Sequence, residues 1–257
     1  MLTFVGLGLY DERSITIEGR DALRSADRAF AEFYTSRLLG ASVEQLEAYH
    51  EVEIEVRDRE GVEQHPDDVL SAAEAGDAVF LTAGDTMIST THVDLRLRAA
   101  ERGIETRVIH GPTAESAASG LTGLQNYRFG KATTLPFPRE HASSDVPGSV
   151  LDTIDDNRER GLHTLVYLDI EAEREAYMSA DLGASLLAAS YEDVLAVVVA
   201  RAGSPNPLVL ADSLSTLADE DFGPPLHLLA IPGTLHHLEA EALRTFADAP
   251  EALTIVD

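Results

Sequence analysis

The chain has no cysteine, so neither a disulfide framework nor a thiolate metal site can be built from it. It is also nearly without lysine: Lys131 is the sole one, and arginine supplies every other fixed positive charge. No run approaches the roughly 18 consecutive apolar residues of a membrane-spanning helix. The opening MLTFVGLGLYDER has no basic leader region and no small-residue cleavage site, so it reads as a first strand rather than a signal peptide. A cytoplasmic protein is expected. Three catalytic signatures are missing: G-x-S-x-G of hydrolases, G-x-x-x-x-G-K-[ST] of phosphate-binding loops, and H-E-x-x-H of zinc proteases. His92, His110, His141, His163 and His227 are scattered without zinc-ligand spacing, and no metal is expected.

What is abundant is negative charge. Forty-five Asp and Glu face 19 Lys and Arg, a formal net charge of −26, and the acidity runs along the whole chain with no acidic tail. In dilute salt such a charge strains the compact state by self-repulsion. At 1 M salt the screening length falls to about 3 Å and most of that repulsion disappears. A lysine-poor, carboxylate-rich surface therefore reads as adaptation to a saline cytoplasm, and the charge reports the solvent rather than the partner. No nucleic-acid partner is expected.

The 257 residues suffice for one large domain or two modest ones with a substantial core. Apolar runs alternate with segments of helical periodicity. Strands are expected at residues 2–5, 28–34, 51–56, 78–81, 106–110, 132–137, 163–169, 194–200 and 226–231. Helices are expected at 15–25, 38–50, 66–75, 90–103, 115–121, 150–160, 180–189, 213–218 and 236–247, with a polar loop or insert at 141–148. Alternating strands and helices make the class α/β. The alternation divides near residue 112, giving lobes of 1–112 and 113–257 with a ligand cleft between them.

The chemistry is expected in loops that follow apolar strands, where an open α/β sheet presents ligands. The central one is Ala78-Val79-Phe80-Leu81 running into Gly84-Asp85 and then the helix at Thr90-Thr91-His92. As an ordinary turn, Gly84 would supply a permissive backbone and Asp85 a cap. Gly6-Leu7-Gly8-Leu9-Tyr10-Asp11 begins like a dinucleotide fingerprint, but Asp11 stands where the third glycine belongs. It reads either as a close-packed turn or as a different glycine-rich ligand loop. Arg201-Ala202-Gly203-Ser204, Pro232-Gly233-Thr234 and Leu168-Asp169 are further loops at strand ends, and His236 and His237 open the last helix, where capping is their plain role.

Seven stretches in order carry a resemblance that covers almost the whole chain: GLGLYDERSIT (6–16), AEFYTS (31–36), TAGDTMISTTHVDLRLRA (82–99), LTGLQNYRFGK (121–131), RGLHTLVYLDI (160–170), ARAGSPNP (200–207) and DFGPPLHLLAIPGTLHHLEAEAL (221–243). Together they resemble the diphthine synthase family of the tetrapyrrole-methylase superfamily. The chain departs from the family pattern in lacking prolines around Gly84-Asp85, and in Gly111 and Thr113 after His110.

The resemblance implies an S-adenosylmethionine-dependent methylase, two α/β lobes with the cofactor between them, and a homodimer. Carried over position by position, it places cofactor contacts at Leu9, Asp85, Ile88, Thr113, Ala114, Leu168, Ala211 and His236. It implies that the substrate is the 3-amino-3-carboxypropyl group on a histidine of translation elongation factor 2, methylated repeatedly on its amino nitrogen. Displacement at a sulfonium methyl needs an amine lone pair, which water can free, so no catalytic base is assigned. His236 is the alternative base. Two other readings use the same residues: the same fold acting on a tetrapyrrole ring or an RNA base, and a binding protein that has kept the site without chemistry.

Overall fold

The computed structural model describes residues 1–138, 146–191 and 193–256. The chain forms two compact units, Met1–Thr113 with Ala172–Arg174, and Ala114–Glu171 with Glu175–Asp257. Each has its own five-stranded sheet. Among the described residues no helix is long and apolar enough to cross a membrane.

The first unit contains strands β1 (Leu2–Gly6), β2 (Arg28–Glu32), β3 (Ile54–Arg57), β4 (Ala78–Thr82) and β5 (Thr106–Ile109), all parallel, in the order β3-β2-β4-β1-β5. Helices α1 (Ile17–Ser25), α2 (Val43–His50), α3 (Arg59–Glu63), α4 (Asp67–Ala75) and α5 (Val93–Glu101) connect them. A parallel sheet covered on both faces needs strands that are apolar throughout, and every residue of β1 and β4 is buried. Alternate residues feed two cores. Phe4, Phe30 and Phe80 pack on one face, with Phe4 and Phe80 edge to face at 5.9 Å. Val5, Ala31, Leu81 and Ile109 pack on the other. Each fully buried phenylalanine contributes roughly 1.5–3 kcal/mol of transfer free energy. Register brings the carboxyl ends level: Gly6 lies beside Thr82, Val5 beside Ile109, and Glu32 beside Thr82.

The second unit contains α6 (Ala114–Thr122), β6 (Thr133–Leu135), α7 (Gly148–Glu159), β7 (Thr164–Leu168), a small hairpin of β8 (Ile170–Glu171) and β9 (Ala176–Tyr177), α8 (Ala180–Tyr191), β10 (Leu195–Ala200), β11 (Leu208–Ser213), α9 (Leu214–Leu217), β12 (His227–Ile231) and α10 (His237–Phe246). The sheet order is β11-β10-β12-β7-β6. Its directions are mixed: β12 runs antiparallel to both neighbours, and β6 parallel to β7. Val166, Leu168, Ala196, Val198 and Leu229 pack on one face; Leu165, Val197, Val199, Leu228 and Ala230 face the other.

Several expected elements are shifted for local reasons. The helix expected from 38 begins at Val43, because Ser42 accepts from Gln45 N–H while the Gln45 side chain accepts from Ser42 N–H. The helix expected from 15 begins after Thr16, whose hydroxyl caps Gly19 N–H. The strand expected to reach Tyr34 stops at Glu32, whose carboxyl takes the N–H groups of Tyr34 and Thr35. The helix expected from Thr90 begins at Val93, since Thr90 donates its hydroxyl to Thr86 C=O in a tight preceding loop. The short α3, with Val62 as its one buried residue, has too little periodicity to be read from sequence. Strand β11 was not anticipated, nor was the β8–β9 hairpin of two residues a side. Of the loop expected at 141–148, residues 141–145 lie outside the described residues, and Gly148 already belongs to α7.

Candidate functional site

Three glycines meet where β1, β4 and β5 end. A Cβ on Gly6 would lie 2.6 Å from both Gly111 N and Gly84 O, and one on Gly111 would lie 2.6 Å from Gly84 O. Only backbones without side chains can approach so closely. Gly8 and Gly84 then exchange hydrogen bonds, Gly8 N–H to Gly84 O at 3.2 Å and Gly84 N–H to Gly8 O at 2.7 Å. Gly6, the last residue of β1, is therefore a point of close backbone approach. Gly84 differs: its φ is +79°, and a Cβ there would meet nothing within 4 Å. Its freedom serves the backbone turn, and the space beside it is open.

Asp85 sits directly after this turn, 4% exposed. One carboxylate oxygen accepts from Met87 N–H at 2.9 Å, and the other accepts from His110 Nδ1 at 2.7 Å and Gly111 N–H at 3.1 Å. The side chain therefore both caps its own loop and ties it to the loop after β5. His110 itself is largely exposed. Ile88 lies in the same loop and is 39% exposed; Leu9 and Thr113 are half-buried. The first unit thus brings Asp85 together with Gly84, His110 and Gly111. Nearby, Asp11 takes hydrogen bonds from Arg13 and Ser14; burial opposes its charge, but these donors outweigh burial and hold the carboxyl below the usual range.

In the second unit Ala114 starts α6, half-buried against Leu165 and Val199. Leu168 closes β7 and is buried in one face of the sheet, whereas Ala211 is fully buried in the other. His236 is exposed and caps α10, its ring accepting from Leu238 N–H at 3.3 Å. The antiparallel course of β12 corrects the expectation that all strand-end loops gather together. Ile231 pairs with Thr164, so Pro232-Gly233 and His236 emerge at the opposite end of the sheet from Leu168, about 13 Å away along the strand at ~3.3 Å per residue. Arg201, by contrast, follows β10 at the Leu168 end.

What organises the His236 end is Glu239, fully buried. It accepts from His236 N–H at 2.7 Å, Gln125 N–H at 2.9 Å, His163 Nε2 at 3.0 Å and Arg128 Nη1 at 3.1 Å. Burial works against its charge, yet these donors hold its carboxyl below the usual range. His163 Nδ1 accepts from Gly233 N–H at 3.1 Å, so its hydrogen lies on Nε2; burial pushes this imidazole down in spite of Glu239, leaving it neutral. Neither Glu239 nor His110 was singled out for these roles from the sequence. Glu239 is three residues after His236, the spacing of a capping box, and that signal would have found it. His110 has no comparable signal.

The residues of the first unit suit a polar ligand laid over the strand ends. Gly84 opens onto free space, and Thr86 Oγ1, buried within the same loop, has no hydrogen-bond partner among the described residues.

Comparison with known proteins supplies the family. The model of the tetrapyrrole (corrin/porphyrin) methylases matches residues 1–218. A diphthine synthase of Halorubrum lacusprofundi is 71% identical over 262 residues, covering 98% of this chain and 99% of that protein. One from Halobacterium salinarum is 68% identical, with 97% and 98% covered. A crystal structure of a diphthine synthase superposes with a TM-score of 0.91 at 39% identity, covering 98% of both chains. These close relatives come from halophilic archaea, in keeping with the charge of −26. The chain belongs to the diphthine synthases of the tetrapyrrole methylase family, S-adenosylmethionine-dependent methyltransferases.

Proposed function

We propose that this protein transfers methyl groups from S-adenosylmethionine to the amino nitrogen of the 3-amino-3-carboxypropyl group on a modified histidine of translation elongation factor 2, repeatedly, to give the trimethylammonium of diphthine. The observation that carries this reading is the 71% identity over nearly the full length of a diphthine synthase. S-Adenosylmethionine, when bound, supplies an electrophilic sulfonium methyl. The residues assigned to hold it are Leu9, Asp85, Ile88, Thr113, Ala114, Leu168, Ala211 and His236. The built and buried Asp85 loop supports the assignment of Asp85, while His236 serves as the cap of α10.

The chain's contribution is positional. Aligning an amine with a methyl donor can supply roughly 7–11 kcal/mol of barrier reduction in the best cases. Water can take the amine proton before transfer, and His236, whose Nδ1 accepts from Leu238 N–H, is occupied as a cap rather than poised as a base. The family reading also gives a homodimer in the cytoplasm. Titrating Asp85→Asn with S-adenosylmethionine by calorimetry in molar KCl tests the site: weakened binding is expected, and affinity equal to the wild type would remove Asp85 from it. Light scattering in the same buffer reads the dimer; a monomeric mass would contradict it.

A further inference from the structure

Glu32 and His92 are the two fully buried ionisable side chains beneath the Asp85 loop, both 0% exposed. Glu32 ends β2 beside Thr82, and His92 is the residue before α5. His92 Nδ1 lies 3.0 Å from Thr86 C=O, an atom that only accepts, so Nδ1 carries a hydrogen; Thr82 Oγ1 is a further contact at 3.3 Å. In a neutral ring Nε2 then has a bare lone pair. Glu32 Oε1 lies 3.5 Å from it, too long for a hydrogen bond, and Nε2 has no hydrogen-bond partner among the described residues. The Thr35 hydroxyl also donates to Glu32 Oε1, and the other carboxyl oxygen is taken by Tyr34 and Thr35 N–H at 3.0 Å each. The buried Nε2 lone pair is left without a donor, which costs free energy out of water, whereas Glu32 Oε1 has the Thr35 hydroxyl.

We propose that Glu32 is a carboxylic acid facing the bare Nε2 of His92 across 3.5 Å, and that this neutral pair is a positioning device for the loop carrying Asp85 and Ile88. It acts through Thr86 C=O, which takes the His92 Nδ1 hydrogen and the Thr90 hydroxyl together. The inference rests on the reading of that loop as part of the cofactor site. Burial drives both members toward neutrality, raising the Glu32 carboxyl and lowering the His92 imidazole to about 4. The charged and titratable groups around the pair are few. Arg59 lies over the Tyr34 ring at 5.1 Å, Glu63 accepts from Thr91 at 2.9 Å, and the buried Tyr34 phenol is pushed upward by burial.

Nitrogen NMR of the histidine rings in molar KCl at neutral pH reads the pair directly. His92 is expected as the neutral Nδ1–H tautomer; an imidazolium, or an Nε2–H tautomer, overturns the proposal whatever the activity. Binding of S-adenosylmethionine by calorimetry reads the positioning. His92→Phe and Glu32→Met are expected to raise Kd about tenfold, roughly the effect of one lost buried hydrogen bond. Glu32→Gln, whose amide supplies both a donor for Nε2 and an acceptor for Tyr34 and Thr35 N–H, is expected to restore Kd to within about twofold of wild type. If Asp85→Asn weakens binding and His92→Phe does not, the pair has no positioning role. If neither changes binding, the cofactor reading of the loop has failed and the positioning role with it.

Discussion

Replacing Asp85 by alanine removes the acceptor of three hydrogen bonds, from Met87 N–H, His110 and Gly111 N–H, at 2.9, 2.7 and 3.1 Å. Bonds to a charged group contribute about 1.5–3 kcal/mol each, and a buried N–H left without a partner costs about 1–3 kcal/mol. His110 is exposed and finds water, so the loss falls on the two backbone N–H groups. Allowing the loop to relax, a destabilisation of about 3 kcal/mol is expected, with detachment of the Asp85 loop from the Gly111 loop. Urea unfolding in molar KCl reads the first, and calorimetric titration with S-adenosylmethionine reads the second. Each 1.4 kcal/mol of lost binding free energy raises Kd about tenfold, and at least that is expected. Asp85→Asn retains one acceptor oxygen and should lose roughly half as much stability. An Asp85→Ala protein with unchanged unfolding midpoint would refute the hydrogen-bond reasoning. Unchanged Kd would refute the site.

Four further outcomes follow from the same geometry. Gly111→Ala forces a Cβ to 2.6 Å from Gly84 O and is expected to destabilise more than Gly84→Ala, which faces open space and costs about 1–2 kcal/mol for its left-handed backbone; the reverse order in urea unfolding would contradict the packing. Glu239→Gln leaves the Arg128 charge partly buried and unpaired and is expected to cost about 3–5 kcal/mol, read by the same unfolding assay; a loss under 1 kcal/mol would contradict it. Asp11 and Glu239 are held low in the fold, so their stabilisation is complete above the unfolded carboxylate value near 4 and is lost as pH falls through their folded values. Buried His92, His163 and His227 are also held low, so the unfolded chain binds more protons below about 6.5; among the described residues Glu32, held high, acts in the opposite sense in acid. The unfolding midpoint should therefore fall steadily from neutral pH into acid, and a midpoint that rises would contradict these assignments. Finally, dialysis from molar KCl to low salt should cost fold or activity through self-repulsion at a net charge of −26, and an unchanged circular dichroism spectrum and melting temperature would contradict the saline reading.

The sequence was most legible where the physics is local and repeated. Strands β1 and β4 announced themselves because a sheet covered on both faces buries every position in them, most of them apolar. Gly84-Asp85 was legible as a strand-end loop, and its plain role as turn and cap stands alongside the open space at Gly84. Strand direction was not legible. Apolar runs such as Val194 to Ala200 look alike whichever way they run, so the antiparallel course of β12 and the separation of His236 from Leu168 required the sheet itself. Pairings at long sequence separation were equally hidden: Asp85 with His110, Glu32 with His92, and Glu239 with His163 each join residues that no local pattern links. Element starts were displaced wherever a cap decided them, as at Thr16 and Ser42.

The most direct test is mass spectrometry of elongation factor 2 bearing the 3-amino-3-carboxypropyl histidine, incubated with this protein and S-adenosylmethionine in molar KCl. Successive gains of one methylene equivalent, localised to the amino nitrogen on that histidine and ending at the trimethylammonium, are expected. No gain from a protein that binds S-adenosylmethionine would contradict the assigned acceptor.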